Sequence, residues 1–303
     1  MSTILKLNFK TKVNLYLLGI KGFKVLKFII LKNYFKQINM VIIGKDKNID
    51  NDYSNDIKDL CQLNRIKFVL KEDLDSSIIE TDLSIAISWK WMIKLNNPLF
   101  VLHDSILPEY RGHLPLVSQL IDGRQEIGVT TILANKNYDE GDILFVSKTK
   151  IKYPITIKNA IEKINKCYLE CISYIFESIQ NNDDFILKPQ DHSKASYSLW
   201  RDEKDYFINW NWPIFQIKRF VDSVGDPYRG AKTIFKKEEI TIVNVEILPD
   251  LNIRNRDVGK IFKLVQGKPI IICKDGLLLI ESAKNRNTNQ TIFPLISLKE
   301  RFY

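Results

Sequence analysis

The feature that most constrains this chain is an alternation that runs through its first half. Short runs that are apolar almost throughout recur at intervals: Val13 to Gly19 (VNLYLLG), Met40 to Gly44 (MVIIG), Ile66 to Leu70, Leu83 to Ser88 (LSIAIS), Leu99 to Leu102 and Val129 to Ala134. A strand wetted on one face alternates apolar and polar residues. These runs do not, so they read as strands buried on both faces. The intervening segments supply the covering layers. Phe23 to Phe35 carries Val25, Leu26, Phe28, Ile29 and Leu31 at helical spacing, Asp56 to Asn64 reads as a second helix, and Ser76 to Glu80 as a short helical turn. Strands alternating with helices predict an α/β fold: an open, mostly parallel, Rossmann-like sheet with ligands at the carboxyl ends of its strands.

A different pattern follows. Thr156 to Ser178 reads as a long helix, with Ile161, Ile164, Tyr168, Cys171, Ile172 and Ile175 near one face. From Asn181 to Ser198 the chain turns polar, as a linker does. Trp212 to Val224 reads as a helix, and after the turn Gly225 to Gly230 come short strands: Ala231 to Phe235, Glu239 to Val245, Gly259 to Val265, Ile270 to Cys273 and Leu277 to Glu281. Lys274-Asp275-Gly276 suits a hairpin. Short strands at this spacing predict a small β-barrel. With 303 residues there is room for both units.

Composition excludes some classes. No apolar stretch approaches the ~20 residues of a membrane span. The opening MSTILKLNFKTK lacks the apolar core and cleavage site of a secretory signal, so a cytoplasmic protein is expected. The net charge is +9, with lysines spread along the chain. That spread fits a compositional bias better than a nucleic-acid groove, and it is compatible with a phosphorylated substrate. Of the four cysteines only Cys167 and Cys171 are close, at helical spacing and with no further Cys or His nearby, so buried thiols are expected rather than a metal site.

Two polar loops follow buried strands. One is His103-Asp104-Ser105-Ile106-Leu107-Pro108-Glu109-Tyr110-Arg111-Gly112, with Pro115 beyond; the other is Asn137-Tyr138-Asp139-Glu140-Gly141-Asp142. A histidine at a strand end is either a general acid or base or a structural residue. An aspartate brought beside it would orient the ring and stabilise its protonated form. Gly19-Ile20-Lys21-Gly22 is either a tight turn or a backbone cradle for phosphate at a helix start. Trp89 and Trp91 either stack on a flat ring or close the sheet edge.

These loops resemble the formyltransferase family, which includes methionyl-tRNA formyltransferase, glycinamide ribonucleotide transformylase and the sugar-nucleotide N-formyltransferases. The resemblance rests on His103 to Gly112, then Gly128-Val129-Thr130, then Tyr138 to Ile143, in that order. Ile208-Asn209-Trp210, the helix to Val224, the turn Pro227 to Ala231 and the Asp275-Gly276 hairpin are similar to the C-terminal barrel of the tRNA enzymes. The resemblance implies a formyltransferase-fold domain over 1–190, a linker over 191–204 and an OB-like β-barrel over 205–303. It implies His103 and Asp139 as catalytic residues, with N10-formyltetrahydrofolate as the formyl donor. Trp89, Lys90, Trp91, Met92 and Ile93 would form one wall of the pterin pocket. Ala134, Tyr138, Asp139 and Asp142 would form the other, with Leu107 and Pro108 beside them. Gly19, Lys21, Gly22 and Arg111 are the expected substrate contacts.

The implied acceptor is the amine of a nucleotide-linked amino sugar, as in lipopolysaccharide or other surface-glycan biosynthesis, with a homodimer as the candidate assembly. The loop Ile20 to Phe23 lacks the long basic insertion of the tRNA enzymes; the barrel favours tRNA. One residue departs from the family pattern. The family's Asn-x-His becomes Val101-Leu102-His103, which removes a side-chain donor to the oxyanion, a loss of typically ~100- to ~1000-fold in rate. Asn135 or Asn137, a backbone amide of the Asp104-to-Leu107 loop, or protonated His103 itself are the candidates to supply it. A same-fold transferase with another acyl or one-carbon donor, and a pocket-retaining homologue without turnover, are the alternatives.

Overall fold

In the computed structural model, which describes residues 3–46, 51–74, 80–93 and 96–303, the chain falls into two compact units. The first comprises Met1–Leu116, Glu126–Lys150 and Ile161–Leu199; the second comprises Val117–Gln125, Ile151–Ala160 and Trp200–Tyr303.

The elements of the first half are β1 (Thr3–Lys6), β2 (Val13–Leu17), α1 (Gly19–Leu31), β3 (Ile38–Ile43), α2 (Ser54–Leu63), β4 (Phe68–Leu70), β5 (Leu83–Ile87), β6 (Leu99–His103), β7 (Arg111–Gly112), α3 (Pro115–Asp122), β8 (Glu126–Leu133) and β9 (Ile143–Lys150). Then come α4 (Ile157–Asn181), β10 (Asp184–Leu187) and β11 (Tyr197–Ser198). Seven of the strands form one sheet in the order β4-β3-β2-β5-β6-β8-β9. β4 to β6 run parallel, and β8 and β9 add antiparallel pairs. All five residues of β2 and of β5 are buried, as expected for strands covered on both faces. The strand order reverses between β2 and β5, which makes their carboxyl ends the topological switch point, where open α/β sheets bind ligands. β6 lies beside β5, so His103, its last residue, stands next to that crevice.

The second unit holds α5 (Ile214–Val224), β12 (Ala231–Phe235), β13 (Glu238–Leu248), β14 (Ile261–Val265), β15 (Lys268–Cys273) and β16 (Gly276–Asn285), with a five-stranded antiparallel sheet in the order β12-β13-β16-β15-β14. Residues 301–303 join its two edges. Phe302 bridges Phe235, Arg301 bridges Lys260, and the Tyr303 and Phe302 amides donate to Ile234 and Gly259 carbonyls at 3.0 and 2.9 Å. The sheet is thereby closed into a small barrel with no bare edge at those positions. Phe302 is 1% exposed and stacks on Phe235 at 4.4 Å between ring centroids.

Several elements differ from the sequence reading. The stretch read as a linker is not loose chain. Asp184–Leu187 pairs with Thr3–Lys6 and buries Phe185 and Leu187, and Tyr197–Ser198 pairs with Arg111–Gly112. Within the expected linker 191–204, residues His192–Lys194 form a 3-10 turn. Gln190, Ser196 and Ser198 of the stretch from Asn181 to Ser198 hydrogen-bond to specific partners, a fact that composition does not reveal. Helix α3 and strand β9 were not expected, and the turn at Ser76 to Glu80 falls mostly outside the described residues. All four cysteines are buried and free, and burial pushes the thiols of Cys61, Cys171 and Cys273 up to about 12. Among the described residues no helix is long and apolar enough to cross a membrane.

The closure assigns Phe302 a large share of the barrel's stability. Phe302→Ala is expected to cost about 3–5 kcal/mol, the range for a buried aromatic, read from urea unfolding. A loss below about 1 kcal/mol, within the surface range, would show that the edges hold together without it.

Candidate active site

Alternation along β6 sends Phe100 and Leu102 to one face and Val101 and His103 to the other. His103 is 7% exposed. Its Nε2 lies 2.8 Å from the Tyr110 carbonyl oxygen, and its Nδ1 lies 3.4 Å from Oδ1 of Asp139. A carbonyl oxygen only accepts, so Nε2 carries the hydrogen. A neutral ring then presents a bare Nδ1 to a carboxylate, two acceptors face to face. The contact becomes attractive when one proton sits between them, on the ring or on the acid.

Both loops are fixed by buried hydrogen bonds. The Thr130 hydroxyl donates to the Ser105 carbonyl at 2.6 Å and accepts from the Leu107 amide at 3.1 Å. The Tyr110 amide donates to the Ser196 hydroxyl at 2.9 Å. Asp139 has φ 55°, in the left-handed region, and its Oδ2 accepts the Gly112 amide at 2.8 Å. Gly141 admits no side chain, since a Cβ there would lie 1.8 Å from the Leu133 carbonyl oxygen. Gln190, which the sequence reading did not single out, is 6% exposed and contacts the same loop. Its Nε2 donates to the carbonyls of Asp139 and Gly141 at 2.8 and 2.7 Å. It carries no motif, and nothing in the polar run around it marks it.

Other expected site residues have different employment. Arg111 is 1% exposed, and its guanidinium donates to Gln190 Oε1 at 3.2 and 2.7 Å and pairs with Glu140 at 3.1 Å. It braces the loop rather than facing a ligand. Lys21 is buried and paired with Asp104, whose other oxygen takes the Tyr168 hydroxyl. Burial and that carboxylate push the Tyr168 phenol well above its usual range. A lysine so placed is not available to a phosphate; Gly19 starts helix α1, and Gly22 in its first turn lies against Leu17. Asp142 accepts the Thr3 hydroxyl at 2.9 Å, which ties it to β1.

On the other wall, Trp89 packs edge-to-face on Tyr16 at 5.2 Å and on Trp91 at 4.9 Å. Both indoles lie over Gly44, where a Cβ would stand 2.7 Å from Trp91 and 3.0 Å from Trp89. Trp89, Ile93 and Val101 pack on the buried cluster Tyr16, Ile42 and Ala86. Val101 is therefore seated in apolar surroundings. Lys90 pairs with Asp46 at 2.7 Å, and Met92 is exposed. The Trp89 Nε1 is buried and, among the described residues, has no hydrogen-bond partner. Leu107 is buried, Pro108 and Ala134 are half-buried, and Tyr138 is exposed. Asn135 and Asn137 are exposed. The Asn137 amide donates to Glu140 at 3.0 Å, and Asn135 Oδ1 accepts the Asn137 backbone N–H at 2.8 Å. Of the two, only Asn135 keeps an NH2 that no partner occupies among the described residues.

Comparison with known proteins places this arrangement. Residues 86–172 match the family model described as formyl transferase, and residues 201–291 the one described as formyl transferase, C-terminal domain. The chain belongs to the formyltransferase family. A methionyl-tRNA formyltransferase of Fervidobacterium nodosum is 27% identical over 201 residues, 65% of this chain and 62% of that protein. The chain thus spans less than two thirds of the length of that curated relative. Two solved structures share the fold. WlaRD, a sugar 3N-formyl transferase studied with dTDP and 5-N-formyl-THF, aligns with a TM-score of 0.62 at 24% identity, over 93% of this chain and 98% of that one. The N-formyltransferase from Helicobacter canadensis, in complex with folinic acid and dTDP-3-aminofucose, aligns with a TM-score of 0.64 at 18% identity, over 89% and 98%.

The Lys21–Asp104 pair beneath this family member's His103 loop yields a test. Lys21→Met leaves a buried carboxylate without its cation and is expected to lower stability by about 3–5 kcal/mol. The double variant Lys21→Met, Asp104→Asn should recover much of that loss in thermal melts. Equal stability of wild type and the single variant would show that the pair contributes nothing.

Proposed function

We propose that this protein is an N-formyltransferase that uses N10-formyltetrahydrofolate to formylate the amine of a nucleotide-linked amino sugar. The observation that carries the reading is the His103–Asp139 contact at the carboxyl end of β6, beside the switch point. When bound, N10-formyltetrahydrofolate supplies a formyl carbon activated by its attachment to nitrogen. As the acceptor amine bonds to that carbon, the bond from the carbon to the donor nitrogen breaks, and the proton that the amine sheds in becoming an amide ends on the departing nitrogen. His103 and Asp139 carry it between the two, at Nδ1 and Oδ1, because Nε2 is already committed to the Tyr110 carbonyl. Asp139, held by the Gly112 amide, keeps the ring oriented during the exchange.

The residues present fit such a donor. An orphaned indole N–H in the loop after β5, beside the apolar surface of Tyr16, Ala86 and Val101, suits a flat heteroaromatic ring that carries acceptor atoms. Trp89 and Ile93 would hold it on one side, with Leu107, Pro108 and Ala134 among the neighbouring wall residues.

The choice of a sugar acceptor is supported by the short turn into α1, which begins at Gly19 directly after β2. The fold shared with sugar-modifying neighbours agrees with it. A second reading, Met-tRNA as acceptor, is favoured by the methionyl-tRNA formyltransferase of Fervidobacterium nodosum, at 27% identity. A panel of dTDP-, UDP- and GDP-linked amino sugars against charged initiator tRNA, each with N10-formyltetrahydrofolate and read by mass spectrometry, separates them. Formylation of tRNA alone overturns the sugar assignment.

Two variants test the chemistry. His103→Asn and Asp139→Asn should each lower kcat by on the order of 100-fold or more, the range of a lost acid–base group, with KM little changed. An unaltered kcat removes the pair from the mechanism. Val101→Asn adds an amide donor on the wall beside His103. It is expected to raise folate-dependent kcat, with an upper bound of roughly 100- to 1000-fold for one restored oxyanion donor, at a stability cost of about 1–3 kcal/mol from placing an amide in the apolar cluster. A fall in kcat in a folded Val101→Asn protein argues for a different acyl donor.

A further inference from the structure

We infer that Gln190 is a positioning residue for the reaction: its side-chain amide sets the left-handed bend at Asp139 and so aims the Asp139 carboxylate at His103. The inference rests on the acid–base role proposed above for that pair. Asp139 adopts φ 55° without being glycine, a conformation that costs on the order of 1 kcal/mol or more and persists only where its surroundings enforce it. The enforcement is visible. One N–H of Gln190 reaches the Asp139 carbonyl at 2.8 Å and the other the Gly141 carbonyl at 2.7 Å, so a single amide spans the bend from residue 139 to residue 141. The amide cannot be turned round. Its Oε1 takes two N–H groups of the buried Arg111, which have nothing to donate to if nitrogen replaces it.

The backbone that carries Gln190 is also fixed on both sides. Lys188 exchanges two hydrogen bonds with Ile143 at 2.7 and 2.8 Å, and Asp191 caps the turn His192–Lys194 through the Ser193 amide. The bend is thus held from a rigid support on β9, not from within its own loop. No other side chain meets the demand. Glutamate keeps an acceptor for Arg111 but sets an oxygen against two carbonyl oxygens. Methionine keeps the shape and satisfies none of the three groups. A merely structural buried glutamine would stabilise the fold wherever it bonded. This one bonds to the carbonyl of the very residue whose carboxylate faces Nδ1 of His103.

The test compares Gln190→Met and Gln190→Glu, each alone and combined with Asp139→Asn, in the full chain. Both single variants are expected to lower kcat by on the order of tenfold or more, with KM for the amine within about threefold of wild type. In the Asp139→Asn background the same changes should alter kcat by less than about twofold, because the carboxylate they aim is gone. If Gln190→Met fails to fold, Gln190→Glu decides. Equal factors in both backgrounds, or an unchanged kcat in a folded single variant, overturn the inference. Should the wild-type protein transfer no formyl group, the functional reading fails on its own. Crystal structures of the two single variants then decide the inference: an Nδ1–Oδ1 separation opened well beyond 3.4 Å upholds it, and an unchanged one overturns it.

Discussion

A buried guanidinium must have its N–H groups answered, and much of this site follows from how Arg111 is answered. Desolvating an arginine without partners is prohibitive, so Arg111 recruits Gln190, Glu140 and His192 from two other stretches of chain. Those stretches are the loop that carries Asp139 and the segment after β10. Once they are drawn to Arg111, the loop that begins at His103 and the loop that holds Asp139 are fastened to one another. The His103–Asp139 contact is a consequence of that fastening. The same logic operates on the other side of His103, where Lys21 and Tyr168 satisfy Asp104. The histidine is flanked by two polar networks, and its ring touches the first of them through Asp139.

The sheet supplies the stage. Because β2 and β5 are neighbours while their chain continues to opposite sides, the loops after them diverge and leave a crevice. The loop after β5 carries Trp89, the strand beside it ends in His103, and β8 brings Thr130 opposite His103. The Trp89 loop and the His103–Asp139 pair are therefore placed by strand order, before any side chain is chosen. What the side chains add is polarity. Val101 and Ala86 make this surface apolar, and among the described residues Trp89 leaves one donor unspent.

Strands buried on both faces were legible because two-sided burial erases polar alternation, and β2, β3 and β5 read that way. β9 was not legible, because ILFVSKTK is half polar and resembles loop. β1 and β10 were not, because four-residue strands leave almost no pattern. The motif residues of the site were legible by their order. Their partners were not. Lys21 and Arg111 look alike on paper, as basic residues near glycines suited to phosphate, and the fold turns both inward to carboxylates. Gln190 was invisible for a plainer reason: it acts on residues 79 and 51 positions away, and no local spacing encodes that.

The pairing of β1 with β10 has a bearing on how the chain reaches this fold as it is synthesised. Thr3 finds its partner at Leu187, so β1 waits for nearly two hundred residues before its ladder exists. Translation at ~5–20 residues per second makes that an interval of roughly ten seconds or more. The second unit waits longer. Val117–Gln125 and Ile151–Ala160 emerge early, yet the unit they belong to closes only through residues 301–303. Buried apolar side chains such as Val117, Leu120 and Ile157 are then uncovered on the nascent chain throughout that time. The ribosome thus releases the pieces of this core in an order that their packing does not follow.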